Sequence, residues 1–134
     1  MGIDLYVRWD DMTSEEYAAQ ITGYADAPEV GYLRYNWNGA RFASENAVSL
    51  GLPIPIPHYH FGTEDDLDIA GIKSELREYA ASCRGAAILS ELITFENDDG
   101  KVYFIEKLNA AAVLCEFALA KHAEGKANVR IEFR

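Results

Sequence analysis

Two histidines separated by one residue, His58 and His60, are the side chains best suited to hold a metal ion. In an extended segment alternate side chains point the same way, so both imidazoles could reach one divalent cation. Four carboxylates that could complete such a site follow closely: Glu64, Asp65, Asp66 and Asp68. A mixed set of nitrogen and oxygen ligands suits zinc, iron or manganese, and catalysis would also require an open coordination position.

The segment that precedes these histidines is an extended connector. Pro53, Pro55 and Pro57 fix φ and remove amide donors, so a central strand is excluded here. The sequence does not identify a third metal ligand, and pairs of loop histidines without a metal are common. We therefore treat a metal site at His58 and His60 as the alternative interpretation and expect no cofactor.

A second group of candidate residues is aromatic, with Tyr32, Tyr35 and Trp37 placed around Arg34. Tyr, Trp and Arg are the residue types enriched at binding hot spots. Part of the cluster must pack in the core, because large rings bury large areas wherever they fall. We predict that Tyr32, Arg34, Tyr35 and Trp37 form a surface that binds a partner.

The other reactive side chains favour structural roles. Cys115 and His122 lie two helical turns apart, about 10 Å along the axis, which is too far for a nucleophile and its base. Cys83 and Cys115 both fall on predicted apolar helix faces, so we predict buried free thiols. Phosphate-binding glycine loops, nucleophile elbows, Cys-x-x-Cys, His-Glu-x-x-His and EF-hand patterns are absent from the sequence, which lowers the expectation of an enzyme.

The charge balance restricts the classes of partner. The sequence contains 22 acidic against 12 basic side chains, a net charge of -10. Such a surface repels phosphate backbones and anionic lipids, so we expect neither nucleic acid nor a membrane as partner. It attracts a protein partner with a basic surface, although a merely solvated acidic surface explains the same composition. No signal segment opens the sequence, so a cytoplasmic location is expected.

A helix from Lys101 to Gly125 is the element around which the predicted fold is built. Apolar residues at helical spacing form one stripe, and further apolar residues point away from it, so the helix must be covered on more than one side. The stripe consists of Phe104, Ile105, Leu108, Ala111, Ala112, Cys115 and Leu119, and the opposite side carries Val113, Leu114 and Phe117.

The two ends of the chain alternate apolar and polar residues, which is the pattern of half-buried strands. These strands run from Ile3 to Trp9 and from Val129 to Phe133. Because each has one apolar face, we predict that they pair beside the long helix. The periodicity of Val30 to Trp37 fits a strand or the start of a helix, and Val30 to Tyr35 is a candidate for a third strand.

The charged side chains on the outer faces of these terminal strands are complementary. We predict that Asp4 pairs with Arg130 or Arg134, and that Arg8 pairs with Glu132. Cross-strand charge pairs contribute at most about 1 kcal/mol each, so burial of the apolar faces must hold the strands together.

A short helix near the start of the chain is marked by its first turn. Thr13 and Glu16 have the spacing of a capping box, which predicts a helix from Ser14 to about Thr22. Tyr17 and Ile21 are predicted to lie on its inner face.

The middle of the chain predicts further helices, from Ala40 to Leu50, from Thr63 to Cys83 and from Ile88 to Phe95. The apolar stripe loses phase at Arg84 and Gly85, which separates the last two. A hairpin across Leu92–Glu106 remains the competing interpretation, because Asp-Gly between two apolar runs is a strong turn signal.

These elements predict a single globular domain, residues 1–134, of the α+β class. It is mostly helical, and its small sheet is formed by the N- and C-terminal strands packed on the central long helix.

Two short motifs resemble those of a known group of proteins. The opening Met1–Tyr6, Met-Gly-Ile-Asp-Leu-Tyr, and the later Gly31–Arg34, Gly-Tyr-Leu-Arg, resemble segments of small uncharacterised bacterial proteins, as does a long last helix followed by a short strand. The resemblance implies a bacterial, cytosolic protein and brings no catalytic residue with it.

The sequence thus predicts a small acidic cytosolic protein that takes part in protein interaction or regulation. The alternative is a metal-binding protein or enzyme that uses His58 and His60. Homo-oligomerisation is compatible with either interpretation.

Overall fold

The computed structural model describes residues 2–21, 23, 25–36, 59–61, 66–69 and 72–133. Within these ranges, side chains are described except at positions 2, 3, 35, 36, 66–69, 72–75 and 133. The predicted helix from Ala40 to Leu50 and the proline connector lie outside the described residues.

The fold is α+β, as the sequence predicts, with a long helix and a sheet that contains both terminal strands. The elements in sequence order are β1 (Gly2–Arg8), α1 (Ser14–Ala19), a 3-10 turn (Pro28–Val30), β2 (Tyr32–Asn36), β3 (Tyr59–His60), β4 (Asp66–Ile69), β5 (Ile72–Glu75), α2 (Leu76–Ser90), α3 (Asp98–Ala123) and β6 (Arg130–Phe133).

The larger sheet has four strands in the order β2-β1-β6-β3, and each neighbouring pair is antiparallel. The pairing of β1 with β6 confirms the prediction that the two ends of the chain meet. β2 confirms the third strand predicted between Val30 and Tyr35. β4 and β5 form a separate two-stranded sheet.

The long helix α3 is covered on two sides, by the sheet and by α2. On the sheet side, the ring of Phe117 lies 5.9 Å from the ring of Trp9, measured between centroids. Leu108 and Leu114, which point in different directions from the helix axis, are both buried. This confirms the prediction that the long helix is covered on more than one side.

The ends of α3 follow the local signals in the sequence. The side chain of Asn97 accepts a hydrogen bond from the Gly100 amide at 2.9 Å and caps the N-terminus. Gly125 has φ of 86° just past the last turn. Since Val102–Glu106 is helical, the hairpin interpretation of Leu92–Glu106 is wrong, and the segment between α2 and α3 is a turn rather than a helix to Phe95.

The helix α1 keeps its predicted start but not its predicted inner face. Thr13 and Glu16 form the capping box, with hydrogen bonds of 2.9 and 3.1 Å. Tyr17 is 40% exposed and Ile21 79% exposed, so the predicted inner face is wrong. The helix ends at Ala19, before Ile21 can join the face of Tyr17.

Gln20, the residue that follows α1, has a buried side chain. Its Nε2 donates to the carbonyl oxygens of Val7 at 2.8 Å and Val30 at 3.2 Å. These bonds tie the end of α1 to the backbone of β1 and of the turn before β2.

The predicted helix from Thr63 to Cys83 is wrong in its first half. Residues Asp66–Ile69 and Ile72–Glu75 are strands, and the helix α2 begins only at Leu76. Leu67 and Ile69 alternate with aspartates, so this stretch fits the period of a strand as well as that of a helix. The helix then passes through Arg84 and Gly85 without a break, because Ala86, Ala87 and Ser90 are buried.

We predict that Gly31→Ala destabilises the protein more than Gly125→Ala. Gly31 has φ of 95°, and an added Cβ would lie 2.7 Å from Gln20 Nε2 and 2.9 Å from Phe117 Cε1. Gly125 has φ of 86° but nothing within 4 Å of an added Cβ. Backbone strain alone costs about 1–2 kcal/mol, and forced overpacking adds about 1–3 kcal/mol.

The free energies of unfolding of both variants, from urea denaturation, test this prediction. Gly125→Ala supplies the cost of strain alone, so the difference between the two losses reports the steric term. Equal losses would contradict the close packing of Gly31 against Gln20 and Phe117.

Candidate functional site

The side chains of β1 alternate between an apolar face and a polar face of the sheet. Leu5, Val7 and Trp9 are buried on the side that α3 covers, whereas Asp4, Tyr6 and Arg8 alternate with them and are partly exposed. We call the second side the outer face. The strand register places the following residues on it: Asp4, Tyr6 and Arg8 of β1, Tyr32 and Arg34 of β2, His60 of β3, and Arg130 and Glu132 of β6.

Aromatic and charged side chains contact one another at the β1–β2 side of this face. The rings of Tyr6 and Tyr32 lie 5.1 Å apart. The hydroxyl of Tyr32 donates to Asp4 Oδ1 at 3.0 Å, and Arg34 Nη1 lies 3.8 Å from the same oxygen. Tyr32 is only 3% exposed, while the Arg34 side chain keeps 28% of its surface open to solvent. Tyr32 therefore supports this side of the face, and Arg34 is the residue a partner can contact.

The surroundings of Tyr32 disfavour loss of its proton. Burial raises the pKa of the Tyr32 phenol, and its hydrogen bond to Asp4 and the charge of Asp4 raise it further, to about 12. The phenol therefore stays protonated and keeps donating to Asp4 throughout the physiological pH range.

Arg8 lies close to two tyrosine rings. Its guanidinium carbon is 4.5 Å from the centroid of Tyr6 and 4.8 Å from that of Tyr17. Both distances are within the range of cation–π attraction. The Nε atom of Arg8 is buried and makes no hydrogen bond. This orphaned donor is the least satisfied polar group that the described residues place on the outer face.

The predicted acidic partner of Arg8 is wrong. The register sets Arg8 opposite Arg130, not opposite Glu132. Glu132 instead accepts from Arg130 Nε at 2.7 Å, and Asp10 lies 3.6 Å from Arg130 Nη1. Among the described residues no carboxylate pairs with Arg8. Asp4 forms its ion pair with Arg34 and not with Arg130, whereas the predicted pairing of Asp4 with Arg134 lies outside the described residues.

Three cations elsewhere in the described residues have acidic partners, whereas Lys101 donates to the backbone carbonyls of Glu91 and Ile93. Lys107 Nζ lies 2.5 Å from Asp26 Oδ2, Arg84 Nη2 lies 2.6 Å from Glu116 Oε1, and Lys121 Nζ lies 3.3 Å from Glu124 Oε2. Arg8 differs from these three cations in that no described carboxylate pairs with it, although the protein has an excess of acidic residues.

Of the four residues predicted as a binding surface, the structure brings Tyr32 and Arg34 together. The backbone of Tyr35 pairs with Ile3, but its side chain lies outside the described part, as does the whole of Trp37. The contribution of these two residues stays a prediction.

The sequence does not predict Tyr6, Arg8 and Tyr17 as site residues. The alternation along β1 already placed Tyr6 and Arg8 on one side of the strand. Because the sequence predicts that Arg8 pairs with Glu132, it gives no sign that the charge of Arg8 lacks an acidic partner.

The metal site stays a prediction as well. His60 lies on β3, opposite Arg130, and His58, Glu64 and Asp65 are outside the described residues. In the part of the protein that the structure describes, no three side chains from His, Cys, Asp and Glu gather closely enough to hold a metal ion.

The two cysteines are buried free thiols, as predicted. Burial raises the pKa of Cys83 to about 12 and raises that of Cys115 well above its ordinary value. Since the thiolate is the nucleophile, neither group is activated. His122 stacks on Phe61 with centroids 4.1 Å apart, at the end of α3.

We predict that Asp4→Asn lowers the pKa of Tyr32. The raised pKa favours folding below pH 10, the ordinary value of the phenol, and this contribution is lost as the pH rises from 10 towards 12. Ultraviolet titration of the wild type minus Tyr32→Phe isolates the Tyr32 transition. We expect its midpoint near 12 in the wild type and lower with Asn at position 4. A Tyr32 transition near 10 in the wild type would contradict the burial and hydrogen bond described here.

Comparisons with known proteins identify no relative: no family model, no curated protein and no solved structure matches the sequence. Among the described residues, none of the helices has the length and apolar character needed to cross a bilayer. The function is therefore inferred from the outer face of the sheet.

Proposed function

We propose that this protein is a recognition domain that binds a protein partner through the outer face of its four-stranded sheet. The observation that carries this proposal is the guanidinium of Arg8, which lies against Tyr6 and Tyr17 with no acidic partner among the described residues. A charge that folding leaves uncompensated is available to a second molecule.

The composition of the outer face supports contact with a protein. Tyrosine and arginine are enriched at interface hot spots, because each offers a large contact area together with a polar group. The side chains are also held in place before binding, Tyr6 against Tyr32 and Arg34 beside Asp4. Less conformational entropy is lost on binding when side chains are ordered beforehand.

The charge of the whole protein favours a partner with a basic surface. A net charge of -10 produces a field that attracts such a protein at long range and is screened by salt. The outer face then supplies the short-range contacts. The partner that fits both features has a basic surface in which at least one acidic group is exposed.

A binding role is favoured over catalysis by the state of the reactive side chains. The thiols of Cys83 and Cys115 are buried with raised pKa values, so neither is an activated nucleophile. We also propose a cytoplasmic location, because two unpaired cysteines are typical of proteins from reducing compartments.

The proposal predicts that Arg34→Ala weakens partner binding and that Arg84→Ala does not. Both arginines form ion pairs with carboxylates, but Arg34 lies on the outer face and Arg84 lies on α2. Partner proteins are captured from the source cells at low salt, and their equilibrium dissociation constants are then measured for the wild type and both variants. We expect at least a tenfold loss, about 1.4 kcal/mol, for Arg34→Ala and less than twofold for Arg84→Ala.

Two controls accompany this measurement. Urea denaturation shows that each variant is folded, and a salt series shows the weakening expected from screening. Equal losses for the two variants, or no captured protein at low salt, would contradict the proposed function.

A further inference from the structure

We infer that the guanidinium of Arg8 is a receptor for a carboxylate group presented by the bound protein. As a statement about the partner this rests on the proposed function, but the anion site itself can be tested without any partner. Three features of the outer face support this site: the row of basic residues that contains Arg8, the tyrosine rings beside its guanidinium, and the charge that surrounds it.

Three basic side chains lie side by side across the sheet. His60 of β3 is opposite Arg130 of β6, which is opposite Arg8 of β1. Like charges directly opposite one another destabilise a sheet unless they are compensated. Glu132 and Asp10 compensate Arg130. Of the two arginines in this row, Arg8 is the one whose charge the described carboxylates leave uncompensated.

The stacking of Arg8 determines how a ligand must approach it. Tyr6 and Tyr17 lie close to the guanidinium carbon, so a ligand must approach the guanidinium from the side that the two rings leave open. Nε is buried, whereas Arg8 as a whole is only partly buried, and its two Nη atoms make no hydrogen bond to the described residues. Two neighbouring Nη donors match the two oxygens of a carboxylate in a bidentate arrangement.

The surrounding charge favours a carboxylate over a phosphate. Arg8 offers one uncompensated positive charge, which a singly charged carboxylate balances. A phosphate dianion would leave a second negative charge close to Glu132, in a protein that is already strongly acidic. The tyrosine rings beside the guanidinium then provide apolar contact for the carbon atoms next to the carboxylate.

The test uses sodium acetate as the probe, with the Nε–Hε resonance of Arg8 in proton–nitrogen NMR spectra as the readout. The resonance is assigned by its absence in Arg8→Lys, and sodium chloride at the same ionic strength serves as reference. We expect acetate to shift the resonance saturably and chloride to leave it in place. The same spectra give Arg84, which is paired with Glu116, as an internal control that should not move.

Variants and further probes test whether the site requires a guanidinium and whether it prefers a carboxylate. Arg8→Lys keeps the positive charge but lacks the two neighbouring Nη donors of a guanidinium. We therefore expect the acetate affinity, measured from backbone amide shifts, to fall at least fivefold in Arg8→Lys. The control variant Arg84→Lys should leave the acetate affinity unchanged. Tighter binding of inorganic phosphate than of acetate at matched ionic strength would overturn the assignment to a carboxylate. No acetate-dependent shift at Arg8 would overturn the site altogether.

The source of the carboxylate is distinguished by two small probes. N-acetylglycine represents the C-terminus of a polypeptide, and N-acetyl-aspartate α-amide represents an acidic side chain. Tighter binding of either one supports the site and assigns the source, and binding of neither overturns it.

Failure of this inference is separable from failure of the proposed function. If acetate leaves Arg8 unmoved while Arg34→Ala still weakens partner binding, the carboxylate receptor is refuted and the binding face stands. If acetate binds Arg8 while Arg34→Ala and Arg84→Ala weaken partner binding equally, the anion site stands and the binding face is refuted.

Discussion

The rest of this structure depends on the need to cover the long helix α3 on two sides. Leu108 and Leu114 are both buried although they point in different directions, so one packing layer cannot suffice. The sheet covers one side and α2 the other. Because the apolar face of β1 is used in this contact, its alternate residues must lie on the opposite side of the sheet. The polar outer face, and with it the candidate site, is therefore a consequence of how α3 is packed.

The sequence predicted those parts of the fold whose signals are local. The capping box at Thr13, the end of the long helix at Gly125 and the alternation of both terminal strands each involve a few neighbouring residues, and all are confirmed. The segment before Leu76 failed for the opposite reason. Its apolar residues fit both a helical and a strand period, and only pairing within β4 and β5 distinguishes them.

The candidate site was half predictable for a similar reason. Composition pointed to Tyr32 and Arg34, since hot-spot residue types can be read without a fold. The role of Arg8 depends on register, and a shift of two residues between β1 and β6 leaves every side chain on the same face. Burial patterns therefore could not separate a pairing of Arg8 with Glu132 from the observed one with Arg130. Burial patterns also could not show that Tyr17, which follows β1 after a turn, contacts the guanidinium of Arg8.

Whether Arg8 serves binding or stability is tested most directly by Arg8→Met in urea denaturation at low salt. Methionine keeps an unbranched side chain against Tyr6 and Tyr17, and it removes both the uncompensated charge and the unbonded Nε. If the guanidinium is held for a ligand, the free energy of unfolding should stay the same or rise by about 1–2 kcal/mol, because removal of an unsatisfied buried donor offsets the lost cation–π attraction. A decrease of more than about 1 kcal/mol would show that Arg8 is a structural residue, and would contradict its role as the charge reserved for a partner.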